Sequence, residues 1–481
     1  MLERLAYRSA RQRVSSAQRK QCAERDRLYQ RYAPRISVNP DLGRQLVSFQ
    51  ANKKEPFYRW LKFKEAFSSQ LVRYCIDRFR PRTEHVPRIL DPFAGAGTTL
   101  TTSTRLGWRA TGIELLPVGT AAMKARLKAD NVDVSVFERY VGKLRDWIRK
   151  PSSGSYGFPH LRITEGAFSK ETEQAMSSFM VFTDQIEDED IRYLFWFACL
   201  SVLEDVSYTR KDGQYLRWDS RSGRKLKSNF HKGKIPDFWT SISERLDMML
   251  EDIRWRNGGS YTSNVNIIEG SCLDVLPTLA DCSYDLVLTS PPYCNRYDYT
   301  RTYALELAFL GYSESAVKSL RQALLSATVE NKTKRDYLRE VYRKRNQEDR
   351  YNAALDVFSS EKALHEVLGI LYRLRDQRKL NNSNIPLMVE NYFLEMCFVV
   401  HELARVVTPG GSIVMINDNV QYHGEEIPVD LILSHFAERA GLYLQAIWVL
   451  ARGKGNSSQQ MGTHGRKELR KCVYVWSKRM S

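Results

Sequence analysis

A chain of 481 residues is too long for one small core, and a 43% share of hydrophobic residues is ordinary for a folded protein. No apolar run reaches the length of a bilayer span, and the charged amino terminus lacks the apolar centre of a signal peptide. A net charge of +17 points to a polyanionic partner, most simply nucleic acid; eight scattered cysteines, with no Cys-x-x-Cys and no Cys/His cluster, point to a reducing cytoplasm and no structural metal.

Residues 1–50 are rich in Arg, Lys and Gln with few apolar anchors. They read as a basic arm that tracks phosphates, or equally as an amphipathic helix packed on the body. Pro56-Phe57-Tyr58-Arg59-Trp60, Lys62-Phe63 and Phe67 then form an aromatic lead-in. Leu71, Val72, Cys75, Ile76 and Phe79 recur at helical spacing, which predicts a helix from Ser68 through Phe79. Arg88-Ile89-Leu90 reads as a strand entering Asp91-Pro92-Phe93-Ala94-Gly95-Ala96-Gly97-Thr98-Thr99, with a helix following through Arg105. Gly95 and Gly97 permit a tight strand-to-helix turn and let backbone N–H groups approach a ligand. A second strand, Trp108 to Glu114, ends in an acid about twenty residues on, where a carboxylate suits ribose hydroxyls. A pyrophosphate loop would want glycine three residues after Gly97, but Leu100 stands there. That favours an adenosyl ligand without pyrophosphate: S-adenosylmethionine fits better than NAD. Asp91, Phe93, Gly95, Gly97, Thr98 and Glu114 are the candidate cofactor residues.

Residues 120–262 interrupt the alternating pattern with helical periodicity and a hinge-like Pro151-Ser152-Ser153-Gly154-Ser155. Within them Arg210, Lys211, Arg217, Arg221, Arg224, Lys225, Lys227, Lys232 and Lys234 are interleaved with Tyr215, Trp218 and Phe230. Cations mixed with aromatics suit phosphate contact and base reading, so Arg210, Lys211, Arg217, Arg221, Arg224 and Lys225 are candidate nucleic-acid contacts. A solvated loop is the alternative.

The strand pattern resumes at Val265-Asn266-Ile267-Ile268, ahead of Ser271-Cys272-Leu273-Asp274, and again at Tyr284 to Leu288. The latter runs into Thr289-Ser290-Pro291-Pro292-Tyr293, a rigid cup because proline fixes φ and removes donors. Ser290 and the Pro291 carbonyl can accept from an amino group, and Tyr293 can stack on a flat ring, so Ser290, Pro291, Pro292 and Tyr293 are the candidate catalytic residues. Residues 312–385 form a second, charged helical insertion, in which Lys332, Lys334, Arg335, Arg339, Arg343, Lys344 and Arg345 read as a solvated face. A helix from Asn391 to Val407 ends at Pro409-Gly410-Gly411, before a strand Ser412–Ile416. A helix Val429–Ala440 and strands Leu442–Ala451 and Lys471–Trp476 follow, the strands separated by a Gly-rich basic loop, 452–470, that suits ordering on DNA.

Together the Asp91–Thr99 loop and the Ser290–Tyr293 cup resemble the S-adenosylmethionine-dependent amino-methyltransferases of DNA, which methylate cytosine N4 or adenine N6. The resemblance implies an α/β, Rossmann-like class I methyltransferase sheet with helical insertions. It divides the chain into a basic arm (1–50), a cofactor part (51–119), a possible target-recognition insertion (120–262), a catalytic part (263–311), a second insertion (312–385) and a closing part (386–481). It implies that the aromatic lead-in packs over the cofactor, although Phe57, Trp60 and Phe63 equally suit a core. It also gives Asp274 the adenine amine of the cofactor, where the alternative is a helix cap. Asn295-Arg296-Tyr297-Asp298-Tyr299-Thr300-Arg301 resembles the continuation of a cytosine-N4 branch, and Ser at 290, where adenine-modifying relatives more often carry Asp or Asn, favours cytosine N4. The implied setting is double-stranded DNA with a flipped base, alongside a restriction or defence nuclease. Adenine-N6 methylation, an RNA methyltransferase and a non-catalytic DNA-binding protein on this scaffold are the alternatives.

Overall fold

A computed structural model of the chain describes residues 23–43, 45–149, 156–212, 215–225, 229–256, 264–450 and 469–480. Its strands, in chain order, begin with β1 (Ile36–Val38), β2 (Arg88–Asp91) and β3 (Arg109–Glu114). A hairpin of β4 (Thr209–Asp212) and β5 (Tyr215–Trp218) precedes β6 (Val265–Glu269), β7 (Tyr284–Thr289) and β8 (Val407–Asp418). A second hairpin, β9 (Val420–Tyr422) and β10 (Glu425–Ile427), is followed by β11 (Leu442–Val449) and β12 (Lys471–Lys478).

Among the described residues the main sheet has eight strands in the order β1-β11-β12-β8-β7-β2-β3-β6. Neighbours run parallel except β12, which is antiparallel to both β8 and β11. This is the Rossmann-like methyltransferase sheet expected from the motifs, with β1 as an added edge strand. Strand order reverses beside β2: β3 and β6 continue to one side, β7 and β8 to the other. In such sheets the crevice for ligands opens at that reversal, beyond the carboxyl ends of the strands.

The central strands bury both faces, so β7 is buried at every position, its apolar centre Leu286-Val287-Leu288 flanked by buried Asp285 and Thr289. Successive side chains still alternate between two cores. Leu90, Val287, Ile413 and Met415 face a core shared with the second insertion and the helices Ile385–Val406 and Val429–Arg439. Ile89, Leu286, Leu288 and Val414 face another, under the helix Ser69–Arg78. Ser68 caps that helix by accepting from the Leu71 N–H at 3.2 Å. A third core belongs to the first insertion, whose helices Pro117–Ala129, Val134–Arg149, Lys170–Asp184, Glu189–Val206 and Phe238–Trp255 pack around Phe137, Phe179 and Phe195. The aromatic lead-in is fastened to it by the Asp252 carboxylate, which accepts from the Phe57 N–H (2.8 Å) and the Trp60 indole (2.7 Å).

Two segments bear on the expectations. First, the described part of the arm follows the packed-helix reading: helix Ala23–Tyr32 buries Leu28 and Tyr32, and Tyr32 donates to Glu438 at 2.7 Å. After it, β1 covers the edge of β11. Its two buried anchors are too few to give a periodic signal. Second, Pro409-Gly410-Gly411 does not separate helix from strand, because β8 already starts at Val407 and pairs with Tyr284. Pairing shifts before Leu286 meets Ser412, and a Cβ at Gly411 would lie 2.9 Å from the Asp285 carbonyl, so glycine permits the irregularity. Residues 1–22 of the arm, the Pro151–Ser155 hinge, Lys227 and the loop up to residue 468 lie outside the described residues.

Candidate active site

The carboxyl ends of β2, β3 and β7 border a cleft. It is built first from Asp91, only 1% exposed at the end of β2. One carboxylate oxygen accepts from the Thr289 hydroxyl (2.7 Å), the other from the Thr99 hydroxyl (2.6 Å). Asp91 therefore bolts the glycine loop to the residue just before the catalytic cup. Burial pushes its carboxyl up to about 6, against the lowering effect of those hydroxyls.

Gly95 and Gly97 have φ of +53° and +77°, the left-handed region that favours glycine. Gly97 precedes the helix Thr98–Arg105 and faces Met123, 2.4 Å from where a Cβ would stand, so it shapes the loop and does not line the cleft. Gly95, Phe93 and Thr98 do line it. Behind them a Cβ on Gly119 would stand 2.4 Å from the Gly95 carbonyl oxygen. Glu114, at the end of β3, accepts from the Gly95 N–H (2.5 Å) and the Leu116 N–H (2.6 Å), its carboxylate in the cleft wall. Burial pushes it up to about 7, opposed by those two amides.

On the other side stands Ser290. Its hydroxyl donates to the Ile416 carbonyl of β8 at 3.2 Å, which leaves its oxygen lone pairs for an incoming donor. Pro292 shares the cleft wall, Pro291 is buried, and the Tyr293 phenol lies 3.4 Å from the Ser290 hydroxyl. Burial raises that phenol well above its ordinary range. The tyrosine in the cleft wall is Tyr299, on the short helix Tyr299–Thr302, not Tyr293. Arg296, in the segment between, adopts φ +67°.

Asp274 is not in this wall. It lies in the short helix Cys272–Val275, capped by Ser271, and accepts from the Tyr337 hydroxyl. The wall at the end of β6 is made by Gly270, Ser271 and Cys272. Of the lead-in, Phe63 and Phe67 reach the cleft while Phe57 and Trp60 are fully buried core. Sequence reasoning missed Glu65, between those two phenylalanines, and Leu324-Leu325 of the second insertion, which also line it. The latter pair is fixed by Lys334, 7% exposed, which donates to the Leu324 carbonyl (2.9 Å) and both Glu395 oxygens (2.9 Å each). Lys334 is thus not part of a solvated face.

The six candidate nucleic-acid residues divide. Arg210 and Lys225 are exposed. Arg217 lies over the Phe230 ring at 4.2 Å and pairs with Asp212; Arg224 lies over Trp218 at 4.0 Å. Arg221 is paired with buried Asp219 at 2.8 Å. Lys211 departs from expectation: strand alternation turns it inward, where it is 2% exposed, pairs with Glu306 and lies 4.3 Å from the Tyr303 ring.

No protein-family model and no solved structure matches the chain. It is 44% identical over 463 residues to the Type II methyltransferase M.AvaI of Nostoc sp. (strain PCC 7120), covering 94% of this chain and 92% of that protein. It is also 38% identical over 475 residues to the Type II methyltransferase M.BsoBI of Geobacillus stearothermophilus, covering 95% and 92%. A more distant relative, the Type II methyltransferase M.MvaI of Kocuria varians, is 20% identical over 271 residues and covers 53% of this chain. With identities of 44% and 38% sustained over nearly the full length, the chain belongs to the Type II methyltransferases.

Proposed function

We propose that this methyltransferase moves a methyl group from S-adenosylmethionine to the exocyclic N4 of a cytosine in double-stranded DNA, as the protecting partner of a restriction nuclease. The observation that carries the reading is one cleft whose wall includes both Glu114 with the glycine loop and Ser290, its hydroxyl oriented by Ile416. The residues present suit an adenosyl ligand. A carboxylate stands where ribose hydroxyls need an acceptor, the walls at Phe93, Ile113, Leu116 and Leu325 are apolar, and Gly95 lets the Phe63 ring close against the loop. Bound S-adenosylmethionine supplies a methyl group activated by its sulfonium.

The work of the chain is to make a poor nucleophile attack. The lone pair of a cytosine amine is delocalised into the ring. The Ser290 oxygen and the Pro291 carbonyl accept its two N–H groups, draw the nitrogen toward tetrahedral geometry and aim its lone pair into the cleft. Tyr299, in the cleft wall, holds the flipped ring, with Tyr293 behind Ser290. A serine with its own proton already given to Ile416 can only accept, which is the role this chemistry asks of it. The exposed cations on and beside the β4–β5 hairpin, Arg210, Arg217 and Lys225, contact phosphates. Incubation with methyl-labelled cofactor and unmethylated genomic DNA, then digestion to nucleosides and mass spectrometry, is expected to give labelled N4-methylcytosine. Labelled N6-methyladenine would overturn the choice of base, and label found only in an RNA control would overturn the choice of substrate.

A further inference from the structure

Glu65 belongs to the lead-in, yet it bonds to the segment that follows the catalytic cup. Its two carboxylate oxygens accept separately from the phenols of Tyr297 and Tyr303. Burial, with the Glu65 charge beside them, raises both phenols well above their ordinary range, so each stays protonated and donates. The same two segments are joined by a second contact, the Phe63 ring stacked on Tyr303 at 5.1 Å and 20°. Tyr297 in turn meets Tyr299 edge-on at 4.9 Å. Phe63, Glu65 and Tyr299 all line the cleft. A single carboxylate thus ties the strip that covers the cofactor side to the flap carrying the aromatic ring on the base side.

We infer that Glu65 is a positioning residue that couples the two ligands: cofactor ordering the lead-in orders the Asn295–Tyr303 flap through Glu65, and DNA entering the flap tightens the hold on the cofactor. This rests on the reading of the cleft as a joint cofactor and target-base site. By linkage the coupling is reciprocal and is measurable from either side. Mutation of the donors tests it more cleanly than mutation of Glu65, because Tyr297→Phe with Tyr303→Phe keeps both rings and their packing and leaves the residues of the cofactor wall intact.

The experiment is calorimetric titration of the full chain with S-adenosylhomocysteine, the demethylated cofactor, with and without saturating unmethylated DNA. In the unaltered protein DNA is expected to tighten the affinity by about 5- to 150-fold, the usual span of such couplings. In the Tyr297→Phe/Tyr303→Phe variant the factor is expected to fall to within twofold of one, while the affinity without DNA stays within threefold of its starting value. Glu65→Ala is expected to give the same loss of coupling. A variant with an undiminished factor overturns the inference, as does an unaltered protein whose factor is already one. Absence of binding both with and without DNA would instead overturn the cofactor reading on which it rests.

Discussion

Ser290 is oriented by one backbone oxygen, so its removal tests chemistry more than folding. Ser290→Ala is expected to lower kcat by about 10²–10³-fold, the cost of losing one preorganised partner of the reacting group, with affinity for S-adenosylhomocysteine nearly unchanged. Single-turnover methylation with labelled cofactor checks the first part and calorimetry the second. Glu114 gives a pH signature. Burial has brought its carboxyl up to about 7, and only the deprotonated form accepts from two ribose hydroxyls. Cofactor affinity is therefore full above pH 7 and falls by about tenfold per unit below it, a slope that Glu114→Gln should flatten in titrations at pH 8, 7 and 6. Asp91, Glu114 and Ser290 stand out in the sequence because each lies at the end of a strand pattern at a chemically telling spacing, and all three line the cleft. Asp274 does not, because a carboxylate one helical turn past a strand can face the cleft or turn away, and here it accepts from Tyr337.

At the level of elements, the β4–β5 hairpin separates two roles that look alike in the sequence. Arg210 and Lys211 are adjacent cations, but pleating sends one outward and one inward. Arg210→Ala is expected to weaken DNA binding and reduce its salt slope by about 1, without a change in Tm. Lys211→Met leaves the Glu306 carboxyl without its partner in a site where both are 2% exposed, at an expected cost of about 3–5 kcal/mol read as a fall in Tm. Replacing both partners with apolar residues of similar size should recover most of that loss. Composition cannot make this distinction; only the strand register can. The same holds for Lys334, which sits in a run of cations yet clamps the Leu324-Leu325 wall through Glu395.

Over the whole molecule, the Rossmann-like fold class was legible because two short buried strands, β2 and β7, each run into a loop of distinctive composition, whereas the strand order was not read from the sequence. The division into parts was less so. The first insertion has its own core, yet it shares Phe57, Trp60 and Phe63 with the lead-in, so it is not a detachable module. The net charge of +17 predicts that binding to non-specific DNA falls linearly in log–log terms with salt, with a slope near −0.9 per phosphate neutralised, as filter binding over a salt series would show. The long reach of one contact has a consequence for biosynthesis. The carbonyl that orients Ser290 is 126 residues downstream, on β8, and β8 gains its second neighbour only when β12 has been made. A ribosome-bound chain that has already displayed both of its motifs therefore still lacks an oriented acceptor. A chain truncated before residue 471 lacks the strand that flanks β8 on its far side and is expected to be inert although every residue of the cup is present.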